Sequence, residues 1–361
     1  MRAGTKRRVG QFLRALSVGV VIGAMLGGAS GSVFRDAPLL GAILGALSGI
    51  INVVIVLGAI GGTEIFLPPM RLGHALERAP FLMTFGIKLL VYGTVIVLVL
   101  GGDLGPRLAA AVLLSPDVAR ELEQVSHLIP TAPLLARAFL LMFFFILLLQ
   151  LGRLIGERTL RDIMLGRYHR ARIEERFFLF IDIVGSTPLA ERIGPAAVYL
   201  FLGQVFRVTS PPIDDHGGEV YQYVGDEIVI TWTVAEGRER ARPLACFFAI
   251  RHALEAASPE FQRDFGAGPR LRAALHAGPV MAGEVGGTRR AIVFHGDVMN
   301  TTSRIEQATR DLERQFLVSG DALERLDGFE AYALEDLGAQ QLRGRAAAVR
   351  VYAVAAKPSR T

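Results

Sequence analysis

The stretch Phe177-Phe178-Leu179-Phe180-Ile181-Asp182-Ile183-Val184-Gly185-Ser186-Thr187-Pro188 decides how the second half of this chain folds. A continuous apolar run over Phe177–Ile183 that carries one carboxylate near its end predicts a buried strand. Gly185 and Ser186 then turn the chain, with Thr187 expected as N-cap and Pro188 at the first helical position. A helical region is expected to about Ile213, broken at Gly194-Pro195. Glu219–Val224 and Glu227–Val234 are β-rich runs joined at Gly225-Asp226, which signals a hairpin. Further expectations are a helix near Arg238–Ala257, strands at Arg270–His276, Val280–Val285 and Ala291–Phe294, and a helix from Val298 to Arg310. A strand at Gln315–Ser319 and closing strands near Glu330–Leu337 and Ala348–Val354 complete an α+β order, with helices covering one face of a mostly antiparallel sheet.

Upstream of this module the composition changes. The 361 residues are 51% apolar with mean hydropathy +0.40, and nearly all of the excess lies before residue 160. This excludes a single soluble domain and a disordered chain. Four apolar spans are read: Ala15–Phe34, Ala37–Thr63, Ala79–Gly102 and Thr131–Gly152, the last two carrying only Lys88 and Arg137. Each is long enough to cross a bilayer as a helix. Arg2, Lys6, Arg7, Arg8 and Arg14 precede the first span, and Arg153, Arg158, Arg161, Arg167, Arg170 and Arg172 follow the last. Both basic segments are therefore expected on the cytoplasmic side, and the more acidic 103–130 loop on the outer side. Gly19, Gly23, Gly27 and Gly31, then Gly41, Gly45 and Gly49, recur every four residues, which places them on helix faces suited to close packing. The net charge of +5 clusters beside these spans, which suits an anionic lipid surface rather than nucleic acid. Arg153–Glu175 reads as a helical linker leaving the membrane. The lone Cys246 sits in an apolar stretch, so a disulfide framework and a Cys-rich metal site are excluded.

The chemistry-bearing residues concentrate in three places. Asp182 ends a buried strand, where a charge needs a partner or a cation; a helix-cap role is the alternative. Asp226 sits at the hairpin tip beside Glu227, and an ordinary turn Asp is its alternative. If hairpin and strand pair, the two carboxylates meet at one sheet edge, a donor set that suits Mg²⁺. Asn300 and Arg304 are four apart on one helix face. An amide and a guanidinium so placed suit a ribose and a phosphoryl group, and a solvated surface pair is the alternative.

Together these motifs resemble the catalytic domain of class III nucleotidyl cyclases, the adenylate and guanylate cyclase family. Phe180–Thr187 is similar to the first metal motif, and His216-Gly217-Gly218-Glu219-Val220 followed by Gly225-Asp226 to the second. Leu275–Val280 and Ala282–Gly286 match the central strands, Asn300 and Arg304 the Asn-x-x-x-Arg helix, and Leu342-Arg343-Gly344 the closing segment. The resemblance covers about Arg176 to Ala355. It implies a ferredoxin-like α+β catalytic domain over 176–356, after a membrane module at 1–152 and a linker at 153–175 and before a short tail at 357–361. It implies a head-to-tail homodimer acting on a nucleoside triphosphate. Two Mg²⁺ or Mn²⁺ ions would bind Asp182, Asp226 and the Ile183 carbonyl, and backbone groups at Gly185, Ser186 and Thr187 would cradle phosphates. Asn300 would orient the ribose, Arg304 would stabilise the transition state and Arg343 would face the triphosphate. The base-reading positions carry Gln222, three before Gly225, and Val293, three before Gly296, in place of the usual pairs of adenylate or guanylate cyclases. Conversion of ATP to cyclic AMP at the inner (plasma) membrane, by a multi-pass protein with a cytoplasmic catalytic domain, is the resulting expectation. The alternatives are GTP or a pyrimidine substrate, or a catalytically weak nucleotide-binding sensor.

Overall fold

The computed structural model describes residues 12–13, 16–17, 19–25, 28, 38–66, 80–101, 131–287, 290–343 and 347–357. The chain divides into two units, Met1–Leu160 and Arg161–Thr361. The first is helical: α1 (Pro38–Phe66), α2 (Phe81–Ile96, running on as a π-helical turn to Gly101) and α3 (Thr131–Ile155). Tyr92 and Ile96 of α2 bury against Met142 and Ile146 of α3. The glycine spacing has a physical counterpart here. A Cβ on Gly23 would stand 2.7 Å from the Gly49 carbonyl and from Val53, and one on Gly19 would stand 2.6 Å from Leu57. The segment around 19–25 and α1 therefore approach as closely as missing side chains allow. Gly27, Gly31, the 103–130 loop and the basic N-terminal tail lie outside the described residues. Among the described residues one helix, Phe81–Val99, is long and apolar enough to cross a membrane, while Gly45–Gly58 and Met142–Gly152 are shorter apolar stretches. On that criterion the expected span Ala79–Gly102 qualifies, whereas much of the expected span Ala15–Phe34 lies outside the described residues.

The expected linker helix is interrupted. Gly156, at φ +93°, ends α3, a short helix α4 (Glu157–Met164) follows, and the chain is already a strand by Arg172. That strand, β1 (Arg172–Ile183), begins five residues before the apolar run, because Arg172–Arg176 pair with the far half of β4 (Leu271–Val285). β1 lies inside the sheet, paired with β3 (Glu227–Thr233) and with β4, and both faces of the sheet are covered there, so its side chains bury on both faces. Phe177, Leu179, Ile181 and Ile183 enter one core, and Phe178 and Phe180 enter another. This double burial is why the sequence shows no alternation there.

Helices α5 (Ser186–Ile193) and α6 (Pro195–Asp215) follow, broken at Gly194 as expected. Then come β2 (Glu219–Val224), β3, a short α7 (Val234–Arg238), α8 (Arg242–Ala256) and α9 (Ser258–Phe265), β4, β5 (Ala291–His295) and α10 (Asp297–Asp311). β6 (Phe316–Ser319), α11 (Gly320–Leu323), β7 (Tyr332–Gln340) and β8 (Val349–Ala356) close the unit. The eight strands form one sheet in the order β2-β3-β1-β4-β6-β8-β7, with β5 paired to β4. The pairs are antiparallel except β4 with β6.

Three expectations need correction. Helices cover both faces of the sheet: Phe201, Val205, Leu244, Phe247 and Phe261 of α6, α8 and α9 pack on one, and Val298 and Ile305 of α10 on the other. The two strands expected at 270–285 are one, because ladder pairing runs through Gly278-Pro279 opposite Arg176 and Glu175. Thr187 is not the cap of α5, which begins at Ser186 after Gly185 in the left-handed region (φ +79°) with no side-chain cap bond. Two further features escaped the pattern reading. α9 went unread, although Ser258-Pro259 is an ordinary start signal. Arg176 is only 3% exposed, held by Tyr168 Oη (2.9 Å) and Glu174 (3.0 Å) with its guanidinium over the Phe294 ring.

Candidate active site

Asp182 reaches the carboxyl end of β1 opposite Arg272 of β4, and it is 8% exposed. Its Oδ2 accepts from Arg272 Nη2 and from Arg310 Nη2 of α10, each at 3.3 Å. Burial raises its pKa, the charge on Asp226 raises it further, and Arg310 and Arg272 oppose both. The helix-cap alternative for Asp182 therefore falls: Gly185 occupies that place, and Asp182 takes guanidinium groups instead.

Asp226 stands at the tip of the β2–β3 hairpin, where Gly225 at φ +62° supplies the tight turn. Because β3 pairs with β1, the tip lies at the same sheet edge as Asp182, close enough to shift its titration. Ser186 Oγ donates to Asp226 Oδ2, tying the first turn of α5 to the hairpin. The N–H groups at the start of α5 have no side-chain cap, which is the local condition for binding anionic oxygens.

Two more carboxylates stand at this edge. Glu227 is raised to about 7, by burial first and then by Glu306, Asp182 and Asp226. Glu306 of α10 is raised by burial and then by Asp182. Glu227 Oε1 and Glu306 Oε1 are buried and make no hydrogen bond among the described residues. Four carboxylates thus face two guanidinium groups, leaving negative charge in excess. Among the described residues no three His, Cys, Asp or Glu side chains group as a metal cluster. The expected donor set, Asp182, Asp226 and the Ile183 carbonyl, is made of hard oxygens, which waters or phosphate oxygens would complete. Carboxylate and carbonyl oxygens of this kind, beside further acidic side chains whose pKa values are raised by burial and by one another's charge, fit a divalent cation of the Mg²⁺ or Mn²⁺ kind.

A second group lies apart. Asn300, Ser303, Arg304, Gln307 and Arg343 line an open cavity of about 390 Å³. The expected Asn300–Arg304 pair and the distant Arg343 do converge, but Asp182 and Asp226 do not line this cavity. Gln222 is exposed on β2 opposite Val229, and Val293 is half-buried on β5 opposite Gly283. Neither lines the cavity. Sequence reading missed Arg272, Glu306 and Arg310. The last two follow Arg304 on the same helix, and their approach to Asp182 is set by how α10 crosses β1.

A family model described as the adenylate and guanylate cyclase catalytic domain matches residues 169–356. The chain belongs to this family. It is 40% identical over 211 residues to adenylate cyclase 2 of Rhizobium meliloti (strain 1021), covering 58% of each chain. It is 30% identical over 185 residues to an adenylate cyclase of Mycobacterium tuberculosis (strain CDC 1551 / Oshkosh), covering 51% of this chain and 39% of that one. The chain thus spans about half the length of these curated relatives, or less. Among solved structures, a bacterial light-regulated adenylyl cyclase shares the fold at TM-score 0.50 and 20% identity, over 59% of this chain and 64% of that one.

Proposed function

We propose that the chain is a membrane-bound nucleotidyl cyclase that converts ATP to 3′,5′-cyclic AMP and pyrophosphate for intracellular signalling. The observation that supports this reading is that one family domain carries both the Asp182–Asp226–Ser186 edge and the Asn300–Arg304–Arg343 cavity. Asp182, Asp226 and the Ile183 carbonyl would hold two divalent cations, which when bound activate the ribose 3′-OH and neutralise phosphate charge. The 3′-oxygen bonds to the α-phosphorus, the α–β bridging bond breaks, pyrophosphate leaves and the hydroxyl proton passes to solvent. Backbone N–H groups of Gly185–Thr187 bind phosphate oxygens. Arg304 stabilises charge that grows on the α-phosphate, Asn300 orients the ribose and Arg343 holds the triphosphate tail.

The two residue groups are separate within one chain, which supports a head-to-tail homodimer in which each site draws metal ligands from one protomer and Asn300 and Arg304 from the other. Gln222, able to donate and accept, reads the base, and Val293 packs beside it. The name of the 40%-identical relative favours adenine. The Phe81–Val99 helix, the close glycine packing at Gly19 and Gly23 and the flanking arginines support a multi-pass anchor in the inner membrane with the catalytic unit in the cytoplasm. The test is product analysis of the purified chain offered each of the four nucleoside triphosphates with Mn²⁺. Cyclic AMP from ATP is expected. Cyclic GMP instead would reassign Gln222, and no cyclic product from any of the four would overturn the reading.

A further inference from the structure

Arg310 stands between two acidic side chains. Its Nη2 is 3.3 Å from Asp182 Oδ2 and 3.9 Å from Glu306 Oε1, one turn back on α10. The Asp182 contact is a hydrogen bond, whereas Glu306 Oε1 is buried and makes none. The two arginines on Asp182 are not equivalent. The Arg272 side chain is 21% exposed and fixed on the paired strand, while that of Arg310 is 55% exposed on the helix surface. A short rotation of the Arg310 head would exchange Asp182 for Glu306 and satisfy the orphaned oxygen. The exchange replaces one buried carboxylate partner of the guanidinium by another, so an ion pair is kept throughout.

We propose that Arg310 is a positioning residue that acts as a displaceable counter-cation: Asp182 exchanges its guanidinium for a divalent cation, and Arg310 moves onto Glu306. This rests on the reading of Asp182 as a metal ligand. Arg310 then sets how tightly the edge takes a cation, because it competes for the same oxygen, and Glu306 is the acceptor that lowers the cost of displacement. Arg272 keeps the carboxylate in place throughout.

The test is Mn²⁺ binding to the full chain without nucleotide, followed by electron paramagnetic resonance, so that turnover plays no part. Arg310→Met keeps the aliphatic stem and the helix propensity. It should tighten Mn²⁺ binding by at least about fivefold, the factor that corresponds to about 1 kcal/mol for a well-exposed pair, because Asp182 is buried. Unchanged or weaker binding in that variant, with an unchanged melting curve, would overturn the inference. Glu306→Gln completes a double-mutant cycle. If Glu306 receives Arg310, the loss of affinity on Glu306→Gln is larger in the wild-type background than with Arg310→Met. Equal losses in both would mean that Glu306 acts by charge alone and would overturn the exchange. Asp182→Ala run alongside separates the two levels. If it abolishes Mn²⁺ binding, the site reading stands whatever Arg310 does; if binding persists, that reading itself fails.

Discussion

Ser186 links the two halves of the acidic edge, since its hydroxyl holds Asp226 from the first turn of α5. A hydrogen bond to a charged acceptor contributes about 1.5–3 kcal/mol to stability, so Ser186→Ala should lower the melting temperature and, by freeing Asp226, also lower turnover, read in a melting curve and a cyclic-nucleotide assay. Thr187 is exposed and caps nothing. Thr187→Ala should therefore keep both activity and stability, within about 0.5 kcal/mol by urea denaturation, because the proposed phosphate contact there uses the backbone N–H and not the hydroxyl. A loss comparable to that of Ser186→Ala would restore the cap reading. Cys246 is wholly buried in the core under α8, and burial pushes its thiol far up. The thiolate is the reactive form, so a thiol reagent at pH 8 should label the native chain only after denaturant is added. Rapid native labelling would contradict the packing. The apolar neighbours of Cys246 made this legible in the sequence. The partners of Asp182 were not, because Arg272 and Arg310 are 90 and 128 residues away along the chain.

At the scale of elements, the β2–β3 hairpin and helix α10 do most of the positioning. The hairpin is aimed by its entry, where Gly218 lies against Ile213, Ile230 and Trp232. A Cβ there would stand 2.8–2.9 Å from all three, and two of them are rigid β-branched side chains. Gly218→Ala should destabilise the catalytic unit by about 1–3 kcal/mol through overpacking, read as a lower melting temperature. It should also reduce activity by shifting Asp226. An unchanged melt would show that the hairpin base can yield. Helix α10 carries two functional faces. Asn300, Ser303, Arg304 and Gln307 line the open cavity, while Glu306 and Arg310 turn back towards Asp182. The Asn300–Arg304 spacing is visible in the sequence as a four-residue step. The second face is invisible there, because a Glu and an Arg one turn apart look like an ordinary solvated pair until β1 is laid beside them.

For the whole molecule, each chain carries one copy of each group of site residues, and the two groups do not share a cavity. In a C2 dimer every contact occurs twice, so a chain with Asp226→Ala paired with one carrying Arg304→Ala leaves one site with both lesions and the other intact. Each variant alone should be inactive. Their mixture should recover up to about a quarter of wild-type activity with random pairing and independent sites. No recovery, with mixed dimers demonstrated by cross-capture of two tags, would assign the whole site to a single chain. The experiment uses the full chain, because the helical unit and the catalytic unit belong to one polypeptide.

The sequence by itself determined what local chemistry can specify. The apolar run at Phe177–Ile183, with Asp182 near its end, dictated a buried strand, Gly225-Asp226 dictated a turn, and the apolar excess before residue 160 dictated a helical module of a different kind. Motif spacing marked Asp182, Asp226, Asn300 and Arg304 as residues of one family's site. Tertiary structure alone decided who meets whom. Strand order set Asp182 beside Arg272, the crossing of α10 brought Glu306 and Arg310 to the same carboxylate, and ladder pairing through Gly278-Pro279 fused two expected strands into one. It also placed helices on both faces of the sheet and left the acidic edge and the Asn300–Arg304–Arg343 cavity apart. The physical reason is the range of the forces. Hydrophobic pattern and turn strain act over a few neighbouring residues and are written in the order of the chain. Charge pairing and packing across a sheet depend on distances that only the closed fold defines.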